Sequence, residues 1–223
     1  EGEARRVFLM GDMPFGVSRH SADVWAQRAF FDLDWSGGAP PERTFKVDPF
    51  TEKWGQNWGI PLYRWERMRE DGFAWWRRRV HAVREMFHLF RVDHVLGFYR
   101  VYAFPWYPDH NAEFAPLSPE EAVARTGGRL PRFHAWEDDT EEHRLANCSQ
   151  GEEILRVLIE EAGPFRLIAE DLGVVPPYVR PCLHELGIEV VEGPSADSLR
   201  SLELEAEEGE EEEQRELPPR CWR

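Results

Sequence analysis

Short apolar runs that end in turn-forming residues alternate along the chain with stretches in which apolar residues recur every three or four positions. The helical spacing is clearest over 73–87, where Trp76, Val80 and Val83 fall on one stripe. The pattern predicts strands at 5–10, 89–93, 165–170 and 187–191, and helices at 21–30, 62–70, 73–87, 152–161 and 176–186. This alternation of strand and helix favours a parallel α/β fold.

Two segments show neither the helical spacing of apolar residues nor the short apolar runs of strands. Residues 32–61 are rich in Gly, Pro and aromatic residues, and we expect a long aromatic binding loop inside a domain that spans 1–191. Beyond Val191 the core-forming pattern stops, and 203–216 contain nine Glu against one Arg. Because a run of like charges repels itself, we predict an acidic, disordered tail over 192–223.

Composition narrows the class of protein. The 223 residues are 42% hydrophobic and 13% aromatic, which is enough to fill a core. No apolar run approaches the roughly 20 residues of a membrane span, and no signal-peptide pattern follows the charged start. Three cysteines without CxxC spacing indicate neither a disulfide framework nor a zinc cluster, so we predict a cytoplasmic protein. The net charge of −15 argues against a nucleic-acid partner, and we expect no membrane partner.

Two predicted strands end in carboxylates. LFRVD closes on Asp93, and RLIAE closes on Glu170. Chemistry in parallel α/β folds is placed at the carboxyl ends of strands. Arg91 and Asp93 are two residues apart on a strand and should share a face, so the guanidinium would keep Asp93 ionised. Glu170 follows apolar residues, and desolvation would raise its pKa so that it holds a proton to donate.

A poised anion beside a protonated carboxyl is the pair that a retaining glycosidase uses. The alternative is a structural ion pair with Arg91 at a strand end. Tryptophans beside Gly or Pro favour the first interpretation, because such rings in loops are suited to stacking on sugars. They are Trp35, Trp54, Trp58 and Trp106.

Four ordered segments resemble glycoside hydrolase family 77 of the α-amylase clan, the amylomaltases or 4-alpha-glucanotransferases. They are GDMPFGVSRHSADVWA (11–26), KWGQNWGIPLYRW (53–65), FRVDHVLGF (90–98) and IAEDLGVV (168–175). The resemblance runs from about Val7 to Ile188 and implies a (β/α)8 barrel, of which this chain would hold only the central strands.

The resemblance implies roles for individual residues. Asp93 would be the nucleophile and Glu170 the acid/base, while Arg91 and His94 would hold the nucleophile and the donor sugar. Three further substrate contacts are implied, namely Asp12, Gln56 and Trp58. Members of the family transfer α-1,4-glucan segments between maltooligosaccharides and need neither a metal nor an organic cofactor, so we expect none here.

The sequence also departs from the family. His20 stands where the family usually has Asp, and no counterpart of the late His-Asp motif with the third catalytic carboxylate is present. A closed barrel takes roughly 250 residues, so we expect this chain to be the middle of an enzyme and inactive alone. A hydrolase of the same clan and a non-catalytic glucan-binding remnant remain as alternatives.

Overall fold

The computed structural model describes residues 7–41, 47–164 and 166–191. These residues form an α/β unit with two four-stranded sheets, one parallel and one antiparallel. The predicted acidic tail lies outside the described residues. Among the helices of the described part, none has the length and apolar character that crossing a membrane requires.

The parallel sheet has the strand order β1-β4-β7-β8. Its strands are β1 Met10–Met13, β4 Leu89–Val92, β7 Leu167–Glu170 and β8 Glu189–Val191. Met10 pairs with Leu89, and Phe90 pairs in turn with Leu167. Three of the four strands fall where the hydrophobic pattern predicted them. The first does not: of the strand predicted at 5–10, residues 5 and 6 lie outside the described residues, 7–9 form no strand, and β1 begins at Met10 and continues through residues that we expected to form a loop.

The antiparallel sheet has the strand order β3-β2-β5-β6. Its strands are β2 Phe31–Ala39, β3 Gln56–Tyr63, β5 Val101–Phe104 and β6 Arg132–His134. The long loop predicted over 32–61 is therefore wrong, because most of its described residues belong to β2, β3 and the helix between them. The purely parallel fold is corrected as well.

Nine helices are described, of which α4 and α8 are the longest. Ser21 caps the first of them, since its side chain accepts a hydrogen bond from the backbone N–H of Val24. The helices are α1 Ala22–Ala26, α2 Pro49–Trp54, α3 Trp65–Glu70, α4 Ala74–Met86, α5 Leu96–Tyr99, α6 Asn111–Phe114, α7 Pro119–Thr126, α8 Glu141–Ala162 and α9 Val179–Glu185.

The main core lies where α4, α5 and α8 pack beside the parallel sheet. Trp76, Phe90, Phe98 and Leu158 are fully buried within it. A second, smaller cluster on the antiparallel sheet is centred on Phe104 and Trp106. Burial of each large side chain stabilises the folded state by about 1.5–3 kcal/mol. Together the two clusters therefore hold the strands, and with them the strand ends, in a fixed arrangement.

Candidate active site

Arg91 joins two carboxylates at the carboxyl ends of β1 and β4. Its guanidinium donates to both oxygens of Asp12, at 2.8 and 2.9 Å, and to Asp93 Oδ1 at 3.2 Å. Asp12 and Arg91 are adjacent because they are directly paired in the parallel register. The hydrogen bonds from Arg91 hold the pKa of Asp12 below its ordinary value. The prediction that Arg91 and Asp93 share a face is confirmed, although the two-pronged contact of Arg91 is made with Asp12.

Glu170 ends β7 and is 8% exposed. Its carboxylate accepts a hydrogen bond of 2.8 Å from the backbone N–H of His94, and the backbone carbonyl of Glu170 accepts from the N–H of Val95 at 3.0 Å. The pKa of Glu170 is raised chiefly by desolvation, with a smaller contribution from the charge of Asp93, whereas the His94 N–H opposes the rise. Two adjacent peptide groups therefore hold Glu170 beside the residue that follows Asp93.

His94 has a positive φ of 48°, which is uncommon for a residue with a side chain. This conformation belongs to the turn in which the His94 N–H meets the Glu170 carboxylate. Its ring lies edge-to-face against Phe15, at 5.8 Å, and against Trp58, at 4.7 Å. Desolvation lowers the pKa of His94 to about 4, so the imidazole is neutral near pH 7. A neutral imidazole can both donate and accept a hydrogen bond.

Trp58 and Gln56 reach this site from β3 of the antiparallel sheet. The indole N–H of Trp58 donates to Gln56 Oε1 at 3.1 Å, and 39% of the Trp58 residue is exposed. Through the contact between Trp58 and His94, the two sheets meet at the carboxylates. All seven residues selected from the sequence thus form one connected group, namely Asp12, Gln56, Trp58, Arg91, Asp93, His94 and Glu170.

The other tryptophans proposed as sugar-stacking residues are core residues. Trp35, Trp54 and Trp106 are only 8%, 6% and 5% exposed. Trp54 and Trp106 pack edge-to-face at 5.6 Å within the smaller cluster. A place beside Gly or Pro in the sequence did not put these rings in a groove. Trp35 and Trp54 belong to β2 and α2, and Trp106 packs into the smaller cluster although it follows β5 in a bend.

Phe15 is a site residue that the sequence reasoning did not select. It is buried beneath His94, and its carbonyl accepts a hydrogen bond from the Tyr63 hydroxyl at 2.5 Å. Its ring also packs against Phe98 at 5.2 Å. The signal was available, since Phe15 lies inside the GDMPFGV segment, three residues after Asp12.

No group of three or more His, Cys, Asp or Glu side chains with metal-binding geometry occurs within residues 7–41, 47–164 and 166–191. Asp12 and Asp93 instead face a guanidinium, which supplies the positive charge at this end of the sheet.

The fold and the site together define an α/β protein that gathers carboxylates and an arginine at the strand ends of a parallel sheet, the usual place for chemistry in such folds. The family model for 4-alpha-glucanotransferases, glycoside hydrolase family 77, matches residues 1–192. The chain belongs to this family.

Relatives agree with this assignment. The chain is 33% identical over 182 residues to a 4-alpha-glucanotransferase of Chlamydia caviae, which covers 82% of this chain and 28% of the relative. It is 33% identical over 194 residues to that of Thermus thermophilus, covering 84% and 31%. Rice 4-alpha-glucanotransferase DPE2 is 39% identical over 128 residues, covering 54% and 12%.

A similar solved structure is that of the amylomaltase from Streptococcus agalactiae in complex with acarbose. The TM-score is 0.58 at 25% identity, and the match covers 82% of this chain and 31% of that one. The chain therefore spans less than a third of the length of these relatives.

Proposed function

We propose that the polypeptide carrying this chain is a 4-alpha-glucanotransferase, which moves an α-1,4-glucan segment onto the 4-hydroxyl of another glucan or of glucose. The proposed substrates are α-1,4-glucans and maltooligosaccharides. The observation that carries the proposal is the bond between the Glu170 carboxylate and the backbone N–H next to Asp93, because it brings a carboxyl with a raised pKa beside a carboxylate paired with Arg91.

The mechanism is a double displacement with retention. A carboxylate oxygen of Asp93 attacks C1 of the donor glucose, and the bond from C1 to the glycosidic oxygen breaks. Glu170 gives its proton to the departing oxygen. In the second step the Glu170 carboxylate takes the proton from the acceptor 4-hydroxyl, whose oxygen attacks C1 and releases Asp93. The raised pKa of Glu170 favours its role as the acid in the first displacement. The loss of its proton in that step leaves the carboxylate that acts as the base in the second displacement.

The remaining residues bind and orient. Arg91 orients the Asp93 carboxylate through an ion pair, while Asp12 fixes the guanidinium from the other side. Neutral His94 supplies one donor and one acceptor for the hydroxyls of the donor sugar. The partly exposed ring of Trp58 provides an apolar surface for a glucose unit, with Gln56 holding its indole N–H. Transfer exceeds hydrolysis where the acceptor displaces water from this surface.

We further propose that the parallel sheet is a sector of a (β/α)8 barrel and that 1–191 are part of the catalytic domain. Within the described residues, β1 pairs only with β4 and β8 only with β7, so each leaves one edge open. Apolar residues lie exposed at one of these edges, from Val7 to Met10. Open edges of this kind favour association or instability, and we therefore expect residues 1–223 alone to be inactive.

Localisation stays a prediction. The cysteine usage favours the cytoplasm, whereas a potato relative that is 34% identical over 178 residues is described as chloroplastic or amyloplastic.

The test is the disproportionation of maltotriose by the polypeptide carrying this chain, before and after Asp93→Asn. We expect oligosaccharides longer than maltotriose from the unsubstituted protein, and a loss of about 10⁴-fold or more in the variant, as for the removal of other enzymatic nucleophiles. Asp34→Asn is the matched control, since Asp34 lies exposed on β2. Products limited to glucose and maltose would indicate a hydrolase, and an active Asp93→Asn variant would remove Asp93 as the nucleophile.

A further inference from the structure

Asp138 lies outside the catalytic group, yet its carboxylate is largely buried and contacts three other side chains. Arg100 Nε approaches Oδ2 at 3.1 Å, and Asn147 Nδ2 donates to Oδ1 at 2.9 Å. The Tyr178 hydroxyl donates to the same carboxylate at 3.0 and 3.2 Å. The side chains of Asp138 and Arg100 are 16% and 12% exposed, and Asn147 is completely buried. We name these four residues the Asp138 cluster.

The Asp138 cluster joins the segments that follow the two proposed catalytic residues. Arg100 comes directly after α5, the helix that begins three residues after Asp93. Tyr178 is the N-cap residue of α9 and ends the segment that follows Glu170. Asp138 itself belongs to the connection from β6 to α8, and Asn147 lies on α8. One carboxylate therefore connects the continuations of β4 and β7.

The two segments differ in how firmly the core holds them. All four residues of α5 are buried, and α5 packs against α8. In the segment after Glu170, by contrast, Asp171 is buried and pairs with Arg180 at 2.8 Å, but Leu172 and Val174 are exposed. The bond from Tyr178 to Asp138 fastens the far end of this partly exposed segment to the side chain that Arg100 also contacts. The Asp138 cluster thus holds the less buried segment to the more buried one.

A buried ion pair is a costly means of stabilisation. Removing both charges from water costs several kcal/mol per ion, and apolar residues of similar volume often stabilise as well or better. The charged arrangement instead fixes the relative positions of the groups, because each hydrogen bond in the Asp138 cluster has a preferred length and angle. Such positioning matters in a glycosyl transfer, where the acid must meet the leaving oxygen while the nucleophile meets the carbon.

We propose that Asp138 is a positioning residue that fixes the Glu170 segment relative to Asp93 through Tyr178 and Arg100. The inference rests on the proposed function. The N–H groups of His94 and Val95 hold Glu170 itself, and the Asp138 cluster supports the partly exposed segment that follows it. The role concerns the acid more than the nucleophile, because Asp93 is followed by the buried helix α5 and is also held by Arg91 and by the backbone bond from its N–H to the carbonyl of Met13 at 3.1 Å.

The experiment compares two donor substrates in the polypeptide carrying this chain. Maltotriose needs a proton on its leaving oxygen, whereas α-maltotriosyl fluoride loses fluoride with little help from an acid. The variants are Asp138→Asn and Tyr178→Phe. Asp139→Asn is the matched control, since it makes the same change one residue away, at an exposed carboxylate that pairs with His143.

For both variants we expect kcat for maltotriose to fall about 10- to 100-fold with KM changed less than about threefold, the size expected for a small displacement of a catalytic group. Single-turnover release of fluoride should change less than about threefold, because that step needs Asp93 more than Glu170. The control should leave both rates unchanged. Tyr178→Phe removes one oxygen and keeps the pair with Arg100, so it tests the inference even where Asp138→Asn fails to fold.

Equal losses on the two substrates, or no loss on maltotriose, would overturn the positioning role. Those results leave the proposed function standing, provided that Asp93→Asn abolishes both reactions. An active Asp93→Asn variant would instead remove the mechanism on which the inference rests.

Discussion

The parallel sheet carries charged residues at or near the carboxyl ends of three of its strands, whereas the antiparallel sheet buries aromatic residues in both clusters of the core. Asp12, Arg91 and Glu170 lie at or near the carboxyl ends of adjacent strands and converge there. Trp35 on β2 and Trp106 just after β5 are buried, and Trp58 alone of the four tryptophans selected from the sequence contacts the site. Strand ends were therefore a better guide to the site than aromatic composition, because backbone pairing fixes where a strand end lies.

The largest expected effect is at Glu170, on the parallel sheet. Glu170→Gln should lower kcat about 10²- to 10⁴-fold, the usual contribution of a general acid. Glu170 acts in its protonated form, so activity should fall as pH rises through its pKa, and the raised pKa moves this alkaline limb upward. The variant should lose the limb, as measured by the pH profile of maltotriose disproportionation.

Glu185→Gln, on the exposed side of α9, is the control and should keep both the rate and the limb. Persistence of the limb in Glu170→Gln would assign it to another group.

The aromatic half of the comparison is tested by two tryptophans. Trp106 stacks on Phe114 at 3.9 Å, and its indole N–H donates to Asn111 at 3.1 Å. Trp106→Ala should lower the free energy of unfolding by about 3–5 kcal/mol. Trp58→Ala should cost far less stability, because 39% of that residue is exposed, and should raise KM for maltooligosaccharides instead.

Thermal unfolding and steady-state kinetics on both variants separate the two roles. If Trp106→Ala changed KM without changing the unfolding temperature, the division between core and site tryptophans would be wrong.

A smaller effect is expected from Arg91→Lys. A single ammonium cannot reproduce the two parallel bonds to Asp12 while also reaching Asp93, so kcat should fall about 10- to 100-fold. Arg64→Lys changes an exposed arginine that lies 3.9 Å from Asp32 and should have no effect on kcat. Unchanged kinetics in Arg91→Lys would show that only the positive charge matters at this position.

The smallest effect concerns the N-terminal cap of α1. Ser21→Ala removes the hydrogen bond to the N–H of Val24 and should lower the free energy of unfolding by about 1 kcal/mol without changing kcat. Ser21→Asp retains a capping oxygen and should therefore keep the free energy of unfolding close to that of the unsubstituted protein. A full loss in Ser21→Asp as well would assign the effect to something other than the cap.

The sequence predicted the strands that tertiary pairing left unchanged. LFRV and LIAE each contain three apolar residues and one charged residue, and both strands are found where expected. At the first strand, local composition favoured the residues before Met10, whereas pairing with β4 placed Met10–Met13 in the sheet. A polar residue such as Asp12 gives no strand signal of its own, although its place opposite Arg91 makes it part of the site.

The hydrophobic pattern does not reveal the antiparallel sheet, because glycine in a sequence usually indicates a loop. Gly37 and Gly38 lie inside β2, and a Cβ on Gly38 would stand 1.9 Å from the backbone oxygen of Gln56 on β3. Close approach of two strands, rather than a turn, explains this glycine. Similarly, α8 begins at Glu141 rather than at 152, and Gly151 within it faces the ring of Tyr99, where a Cβ would lie 2.2 Å away.

The candidate site was predicted more completely than the sheet that supports it. The seven residues selected from strand ends and resemblance form one connected group, whereas Phe15 and the Asp138 cluster were not selected. Those residues act through burial and through contacts between distant segments, and neither leaves a local pattern in the chain.

The turn at His94 matters for any attempt to graft this site onto another protein. One peptide unit links the Asp93 carboxylate to the N–H that holds Glu170, so the two carboxyls share an anchor that does not depend on long side chains. A grafted site would need this turn and the end of β7 copied together, before any sugar contact is added. A glycine at position 94 would relieve the strain of the positive φ, but it would also give the backbone more conformational freedom, so the His94 N–H would hold Glu170 less firmly.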